Sequence, residues 1–168
     1  VRGVKNPRVG LISNGEEAGK GSELVKEAYP LLKNANLNFI GNVEGKEVFG
    51  GQADVAVTDG FTGNVLLKST EAVAKLIIEK IRESIKGGGP LALIGGALVK
   101  PAMGKVKKML DPSEEGAAPL LGVNGLVFIG HGRSDALAIK NAIRVAKEAA
   151  ESKVLDAMKS AIEESLKK

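Results

Sequence analysis

The hydrophobic and polar positions of the 168-residue chain form short apolar runs that alternate with longer segments of helical periodicity. Continuous aliphatic runs predict buried strands, and they cover residues 8–13, 37–40, 54–58 and 126–129. Apolar residues that recur every three to four positions predict amphipathic helices, over residues 23–33, 65–85, 135–151 and 153–168. Residues 41–51 and 111–119 are predicted to be loops. Because strands that alternate with helices form parallel sheets, we expect one α/β domain over residues 1–168 with a mostly parallel sheet.

Residues 53–68, ADVAVTDGFTGNVLLK, are predicted to form a buried strand, a turn and the start of a helix. Asp59 and Gly60 end the strand, and the three residues that follow Phe61 offer helix-start chemistry; they are Thr62, Gly63 and Asn64. The backbone N–H groups of such a turn point at one spot, which predicts an anion site. A plain strand–turn–helix corner is the alternative.

A second candidate site is the glycine-rich loop NGEEAGKGS at residues 14–22, between the first strand and the first helix. It differs from a nucleoside-triphosphate loop, because Asn14 stands where that motif needs glycine and Gly21 stands where it needs serine or threonine. The loop suits a single phosphate or a thioester oxygen. Its candidate binding residues are Gly15, Glu16, Gly19, Lys20, Gly21 and Ser22.

The third candidate site is the segment GHGRSDA at residues 130–136, which ends the last predicted strand and contains the single histidine of the chain, His131. A histidine between glycines at a strand end is a candidate for catalysis or phosphate contact, and a structural role is the alternative. Gly132, Arg133 and Ser134 complete the candidate set. A serine hydrolase is disfavoured, because Ser134 and His131 would still need an orienting acid and an oxyanion hole.

Residues 87–110 are predicted to form an amphipathic, basic helical segment. Five lysines and no acidic residue lie between residues 86 and 110, in a chain of net charge +4. The segment places apolar side chains on one face and lysines on the other, a pattern typical of interfacial membrane helices, although packing on the core or on a partner subunit would also explain it. Pro101 is expected to start a second helix there. The candidate membrane-contact residues are Leu98, Val99, Met103, Val106, Lys105, Lys107 and Lys108.

The amino-acid composition excludes several kinds of site and partner. The chain has no cysteine, which excludes disulfides, Cys/His zinc sites and a covalent cysteine mechanism. Aromatic residues make up 3% of the chain, so base-stacking platforms are nearly absent and a nucleic-acid partner is not expected. No metal or cofactor is expected. The sequence begins at Val1 without methionine, and we expect it to be part of a longer protein.

Five motifs in the same order resemble the carboxyl-terminal half of the PlsX-type phosphate acyltransferases. They read RVGLISNGEEAGKG, NFIGNVEG, ADVAVTDGFTGNVLLK, APLLGVNGLVFIGHGRSDA and AIKNAI. The resemblance implies a three-layer α/β/α fold like that of isocitrate dehydrogenase and phosphotransacetylase. It implies transfer of a fatty acyl group from acyl carrier protein to inorganic phosphate. The acyl phosphate would feed phospholipid synthesis through a glycerol-3-phosphate acyltransferase.

The resemblance further implies a homodimer in the bacterial cytoplasm that associates peripherally with an anionic membrane surface. The strand and AMGGD loop with which the family begins are not in this sequence, and the family's chain is about twice this length. We therefore expect half of the substrate cleft to be missing. An enzyme that uses coenzyme A and a non-catalytic half that binds membrane or carrier protein are the alternatives.

The candidate roles follow from position in these loops. N–H groups around residues 60–64 and 132–134 would hold the phosphate and the carbonyl oxygen of the thioester. Arg133 and Lys20 would supply positive charge, and bidentate phosphate binding suits the arginine. His131 would donate a proton to an oxyanion or to the departing thiolate. Asp59 would orient one of these groups or cap the turn.

Overall fold

The structure is a computed structural model that describes residues 3–166, with side chains described up to residue 164. The chain divides into two compact units. One unit contains the described residues up to Leu66 together with those from Ile162 onward, and the other contains Leu67–Ala161. The last two residues of the helix predicted over 153–168 lie outside the described residues. The prediction of a single domain stays a prediction.

The first unit is built on a three-stranded parallel sheet. Its elements are β1 (Arg8–Ile12), α1 (Glu23–Asn34), β2 (Asn38–Val43), α2 (Gly45–Phe49) and β3 (Val55–Val57). The strand order is β2-β1-β3, with β1 paired in parallel to both neighbours. This arrangement confirms the predicted α/β class and the parallel sheet. The central strand β1 supplies buried Val9 and Leu11, and β2 supplies buried Val43.

A bidentate ion pair links β1 to the residue that precedes β3. Arg8 donates from Nε to Asp54 Oδ2 and from Nη2 to Asp54 Oδ1, each at 2.9 Å, and Nη2 also donates to the Gly51 carbonyl. The hydrogen bonds from Arg8 lower the pKa of Asp54 to about 2. The pair therefore holds the start of β3 beside β1 while Asp54 is ionised.

The prediction that residues 55–57 form a fully buried strand is wrong. Val55 is 44% exposed, Ala56 is exposed and Val57 is half-buried. The strand lies at the edge of its sheet and pairs with β1 on one side only. A continuous apolar run favours a strand, but it does not determine which position in the sheet the strand takes.

The short helix α2 lies inside residues 41–51, which the sequence predicted to be a loop. The Glu44 N–H donates to the Glu47 carboxylate at 2.9 Å, so a side chain one turn on satisfies the N–H group at the helix start. The spacing of the two glutamates was the available signal, and the four glycines of the stretch outweighed it.

Two long helices follow the first sheet. The helix α3 (Gly60–Gly87) begins five residues before the predicted start, and α4 (Gly89–Met109) runs continuously through Pro101. The expectation that Pro101 starts a second helix is wrong. A proline removes one N–H donor and adds a local clash, but the other hydrogen bonds of a long helix can persist around it. Within residues 3–166, none of the helices combines the length and hydropathy that a bilayer span requires.

The remaining elements include a two-stranded sheet. They are a 3₁₀ turn (Pro112–Glu114), β4 (Ala117–Pro119), β5 (Phe128–Gly130), α5 (Ala136–Glu151) and α6 (Val154–Leu166). β4 lies in the stretch predicted to be a loop. It pairs antiparallel with β5, with Ala118 opposite Ile129. The prediction of a buried strand over residues 126–129 is therefore wrong in two respects. The strand covers Phe128–Gly130. It is also not buried, since Ile129 is 56% exposed, because a two-stranded ribbon leaves much of its surface open.

Candidate functional site

The turn from His131 to Ser134 leads directly from β5 towards α5. The Ser134 N–H donates to the His131 carbonyl at 3.0 Å, and Ser134 Oγ donates to the same oxygen at 2.7 Å. Asp135 caps α5 by accepting from the Ala138 N–H at 2.8 Å. These bonds fix a tight turn at a helix N-terminus, and Ser134 is engaged with a backbone carbonyl rather than poised as a nucleophile.

A cavity of about 80 Å³ opens beside this turn. It is lined by three of the predicted site residues, His131, Arg133 and Ser134, and by residues from the 3₁₀ turn and α5. Gly132, also predicted, lies exposed in the same turn. The remaining lining residues are Pro112, Ser113, Gly116 and Ala138. We refer to this space as the His131 cavity.

Sequence reasoning missed Ser113 and Gly116. Asn141 of α5 is buried and donates from Nδ2 to the Ser113 carbonyl at 2.9 Å, which ties the 3₁₀ turn to α5. Gly116 has φ of +79°, and a Cβ at this position would lie 2.4 Å from the Ala142 backbone nitrogen. Glycine is therefore needed for this close approach. The signal in the sequence was the glycine of DPSEEGAAP, which could equally have marked an ordinary loop.

Arg133 is held by an ion pair. Its Nη2 lies 3.4 Å from Glu71 Oε2 on α3, and the Glu71 side chain is only 19% exposed. The same arginine lines a larger groove of about 500 Å³, which we call the α3–α4 groove; it is bordered by α3, the end of α4 and the 3₁₀ turn. Because the His131 cavity and this groove share Pro112, Ser113 and Arg133, the two spaces adjoin.

The glycine-rich loop at residues 14–22 belongs to the other unit. Buried Asn42 donates from Nδ2 to the Glu17 carbonyl at 2.7 Å, and the Lys20 N–H donates to the same oxygen at 3.0 Å. Lys20 is exposed. Asn42 therefore anchors a turn that presents Lys20, and sequence reasoning did not single out this asparagine.

The end of this loop is shaped by Gly21 and Ser22. Gly21 has φ of +104°, and a Cβ there would approach Val25 Cγ1 to 2.5 Å. Ser22 caps α1, since its Oγ accepts from the Val25 N–H at 3.4 Å. Gly15 is buried, whereas Gly19 is exposed. The loop thus ends in a close turn at the start of α1, and Lys20 remains exposed to solvent.

Glu16 is engaged within the protein. Lys46 Nζ lies 2.9 Å from Glu16, and 3.3 Å from both Glu44 and Glu47. Carboxylate oxygens of the three glutamates lie within 4.8 Å of one another. The hydrogen bond to Glu16, followed by those to Glu47 and Glu44, raises the pKa of Lys46. A lysine ammonium therefore balances this acidic cluster, and Glu16 links the glycine-rich loop to α2.

The turn at residues 59–64 is capped by its own aspartate. Asp59 Oδ1 accepts from the Thr62 N–H at 2.8 Å, Oδ2 accepts from Thr62 Oγ1 at 2.6 Å, and the Asp59 carbonyl accepts from the Gly63 N–H at 2.9 Å. The hydrogen bond from the Thr62 hydroxyl is the main cause that lowers the pKa of Asp59. Asp59 thus caps α3: the Thr62 N–H, which the sequence assigned to an anion, donates to its carboxylate, and the Gly63 N–H donates to its main-chain carbonyl. Gly60 and Asn64 are exposed beside them.

The basic segment presents both of its faces to solvent. Leu98 is 78% exposed, Val99 and Val106 are exposed, and Met103 is half-buried. Lys105 is exposed, Lys107 lines the α3–α4 groove, and Lys108 lies 3.7 Å from Glu114. The apolar surface of α4 thus remains available in this chain.

Comparison with known proteins points to one family. The sequence profile of the family described as "Fatty acid synthesis protein" matches residues 1–157. A phosphate acyltransferase of Elusimicrobium minutum is 49% identical over 98% of this chain and 48% of its own length. One of Pelotomaculum thermopropionicum is 50% identical, over 97% of this chain and 47% of its own. One of Aquifex aeolicus is 53% identical, over 88% and 44%.

The chain spans about half the length of the curated relatives that it matches. The matches nevertheless include the three segments described above, since they cover nearly all of the chain. On this similarity, the chain belongs to the PlsX family of phosphate acyltransferases, the family that its motifs indicated.

Proposed function

We propose that this chain provides part of the active site of a phosphate acyltransferase, which transfers a fatty acyl group from acyl carrier protein to inorganic phosphate. The observation that carries the proposal is the His131 cavity, in which a histidine, an arginine and a helix N-terminus adjoin a groove of ligand size. The names of the relatives support phosphate as the acceptor. The acyl carrier protein as donor rests on the family resemblance.

The proposed reaction is attack of a phosphate oxygen on the thioester carbonyl carbon. A carbon–oxygen bond forms, the carbon–sulfur bond breaks, and the sulfur leaves as a thiolate that takes up a proton. Arg133 would bind the phosphate, with Glu71 holding its guanidinium. Backbone N–H groups around Gly132 would face the developing oxyanion, and His131 would protonate the thiolate. No covalent enzyme intermediate is needed, because phosphate is itself the nucleophile.

The other two candidate segments take supporting roles in this proposal. Lys20, exposed on its anchored turn, would supply positive charge to a single phosphate or a thioester oxygen bound at the glycine-rich loop. Asp59 caps α3, so the anion site is better assigned to the His131 cavity than to the start of α3.

Association with a membrane and with a second subunit forms the outer part of the proposal. The exposed apolar and lysine faces of α4 would contact an anionic membrane surface or a partner. We propose a peripheral, homodimeric enzyme in the bacterial cytoplasm, whose acyl phosphate product is used by a glycerol-3-phosphate acyltransferase. The same α4 surface also favours the second candidate, a non-catalytic half that binds membrane or carrier protein.

The test incubates this chain with long-chain acyl carrier protein and phosphate, with and without the half of a relative that this chain does not match. We expect acyl phosphate, and we expect Arg133→Ala and His131→Ala to lower its rate of formation without changing the circular dichroism spectrum. Lys140→Ala, an exposed lysine on α5, is the matched control. Turnover only with short acyl-coenzyme A would favour the alternative that the enzyme uses coenzyme A as its acyl carrier. Unaltered rates in both site variants would remove the assignment of the site.

Liposome flotation tests the membrane part. We expect binding to anionic vesicles that weakens with salt, since exposed charges are screened. The triple change of Lys105, Lys107 and Lys108 to glutamate should abolish it. Unchanged flotation of that variant would contradict an electrostatic role for these lysines.

A further inference from the structure

The chain contains two Asn-Gly pairs, Asn14–Gly15 and Asn124–Gly125, and the structure places them in different surroundings. In such a pair the backbone nitrogen of the glycine can attack the amide carbon of the asparagine side chain, because glycine has no Cβ to hinder the approach and its backbone rotates freely. In a folded protein the attack occurs only where the pair can adopt the conformation that closes a cyclic imide. The packing around each pair therefore decides whether it reacts.

The Asn124 pair lies in the loop of residues 120–127, which joins β4 to β5. A hydrogen bond from the Leu120 N–H to the Val127 carbonyl, at 2.8 Å, closes the base of this loop. Beyond the base, residues 121–124 are all exposed. A Cβ at Gly125 would have no atom within 4 Å, so the space beside this residue is open. The loop can therefore adopt the conformation that ring closure needs.

The Asn14 pair is packed more closely. Asn14 is also exposed, but Gly15 is buried. A Cβ at Gly15 would lie 2.8 Å from Glu17 Oε2 and 2.9 Å from Lys20 Cγ, so side chains of the same loop cover this glycine. Asn42 anchors the turn by donating to the Glu17 carbonyl at 2.7 Å. Ring closure at Asn14 would have to break this packing, and a reaction that needs local opening slows in proportion to the rarity of the open form.

We propose that Asn124 is a site of spontaneous deamidation and that the fold protects Asn14 from the same reaction. The Gly125 nitrogen forms a bond to Asn124 Cγ, its proton passes to the side-chain nitrogen, and that nitrogen leaves as ammonia. Water then opens the cyclic imide at either of its carbonyl groups. One opening gives aspartate, and the other gives isoaspartate, in which the main chain runs through the former side chain. The reaction consumes only water, so its outcome is independent of acyl transfer.

Deamidation would change both the charge and the backbone of the loop. The new carboxylate lowers the net charge of the chain by one unit from +4. Isoaspartate also adds a methylene to the main chain of the loop. Val123 and Gly125, which flank Asn124, line an apolar cavity of about 90 Å³ together with Phe128 and Met158. The longer backbone would therefore alter one wall of this cavity.

The test follows the two asparagines in one sample. The chain is incubated in mildly alkaline buffer, which speeds the attack by deprotonating the backbone nitrogen, and is digested at intervals for peptide mass spectrometry. We expect the peptide that contains Asn124 to deamidate about tenfold faster than the peptide that contains Asn14, since packing protects the latter. In urea the two rates should become similar. The Asn124 peptide should give two products of equal mass that separate by chromatography, aspartate and isoaspartate.

Gly125→Ala is the matched variant, because its Cβ enters open space and also hinders attack by the backbone nitrogen. We expect it to slow deamidation at Asn124 about tenfold without changing the circular dichroism spectrum. Gly95→Ala, which adds a Cβ to open space on α4, is the control and should leave the rate unchanged. Equal rates at Asn14 and Asn124 in the folded chain, or an unaltered rate in Gly125→Ala, would overturn the proposal. Aspartate without isoaspartate would indicate direct hydrolysis and would also count against it.

Discussion

Gly116 offers a sharp test of how the His131 cavity is built. The residue lines the cavity, has φ of +79°, and lies against the backbone of α5. In Gly116→Ala, the new Cβ would lie 2.4 Å from the Ala142 nitrogen and 2.5 Å from the Ala138 carbonyl oxygen. Both contacts are to backbone, so no side chain can rotate away. The 3₁₀ turn and β4 must therefore move relative to α5.

The expected cost has two parts. A non-glycine residue in the left-handed region costs about 1–2 kcal/mol, and an overpacked contact costs about 1–3 kcal/mol more. We expect Gly116→Ala to lower the free energy of unfolding by about 2–5 kcal/mol, a large share of the stability of a typical domain. Urea denaturation followed by circular dichroism measures it. Because the cavity would open, phosphate binding at Arg133 should weaken as well.

Gly122→Ala separates the two parts. Gly122 has a similar φ of +85°, but a Cβ there would have no atom within 4 Å. It should therefore cost only the backbone strain, about 1–2 kcal/mol. If Gly116→Ala and Gly122→Ala destabilise the protein equally, the close approach to α5 contributes nothing and the reasoning is refuted.

Three further outcomes are expected. Leu11→Ala removes a buried side chain of β1 and should lower the free energy of unfolding by about 3 kcal/mol. Leu24→Ala, on the exposed face of α1, should change it by about 0.5 kcal/mol or less. Equal urea midpoints for the two variants would contradict the assignment of Leu11 to the core. Asp54 has a folded pKa of about 2, below its ordinary 3.8, so its pairing with Arg8 stabilises the fold fully above about pH 5 and is lost as the pH falls towards 2. Thermal unfolding of Asp54→Asn should lack this acid-side change. Asp135→Ala should cost about 1 kcal/mol in urea denaturation and Asp135→Asn close to nothing, since asparagine also caps helices.

Local features could be predicted where neighbouring residues decide them. The α/β class, the strand at residues 8–12 and the helices α1 and α5 followed from periodicity, because a buried central strand and an amphipathic helix leave strong patterns. The capping role of Asp59 was one of two alternatives that the residue type suggested, and its contacts with Thr62 confirm that one. The turn at His131 was recognised because a histidine between glycines at a strand end is unusual.

The sequence could not indicate which elements cover one another. An apolar run such as residues 55–57 predicts a strand, but burial depends on whether other elements lie over it, and β3 lies at an edge. β4 was missed for the same reason, since a three-residue strand is stabilised by its partner β5 rather than by its own residues. The start of the short helix α2 depended on a hydrogen bond from the Glu44 N–H to the Glu47 carboxylate, within a glycine-rich stretch.

The family and the chemical types at the site, histidine, arginine and a capped helix start, could be inferred from order and spacing along the chain. The His131 cavity could not, because Ser113 and Gly116 approach His131 only when α5 packs against the 3₁₀ turn through Asn141. The same holds for Glu71, which is 62 residues from Arg133 in sequence and 3.4 Å from it in space. Contacts of this kind arise from packing between distant segments, and short-range patterns carry no record of them.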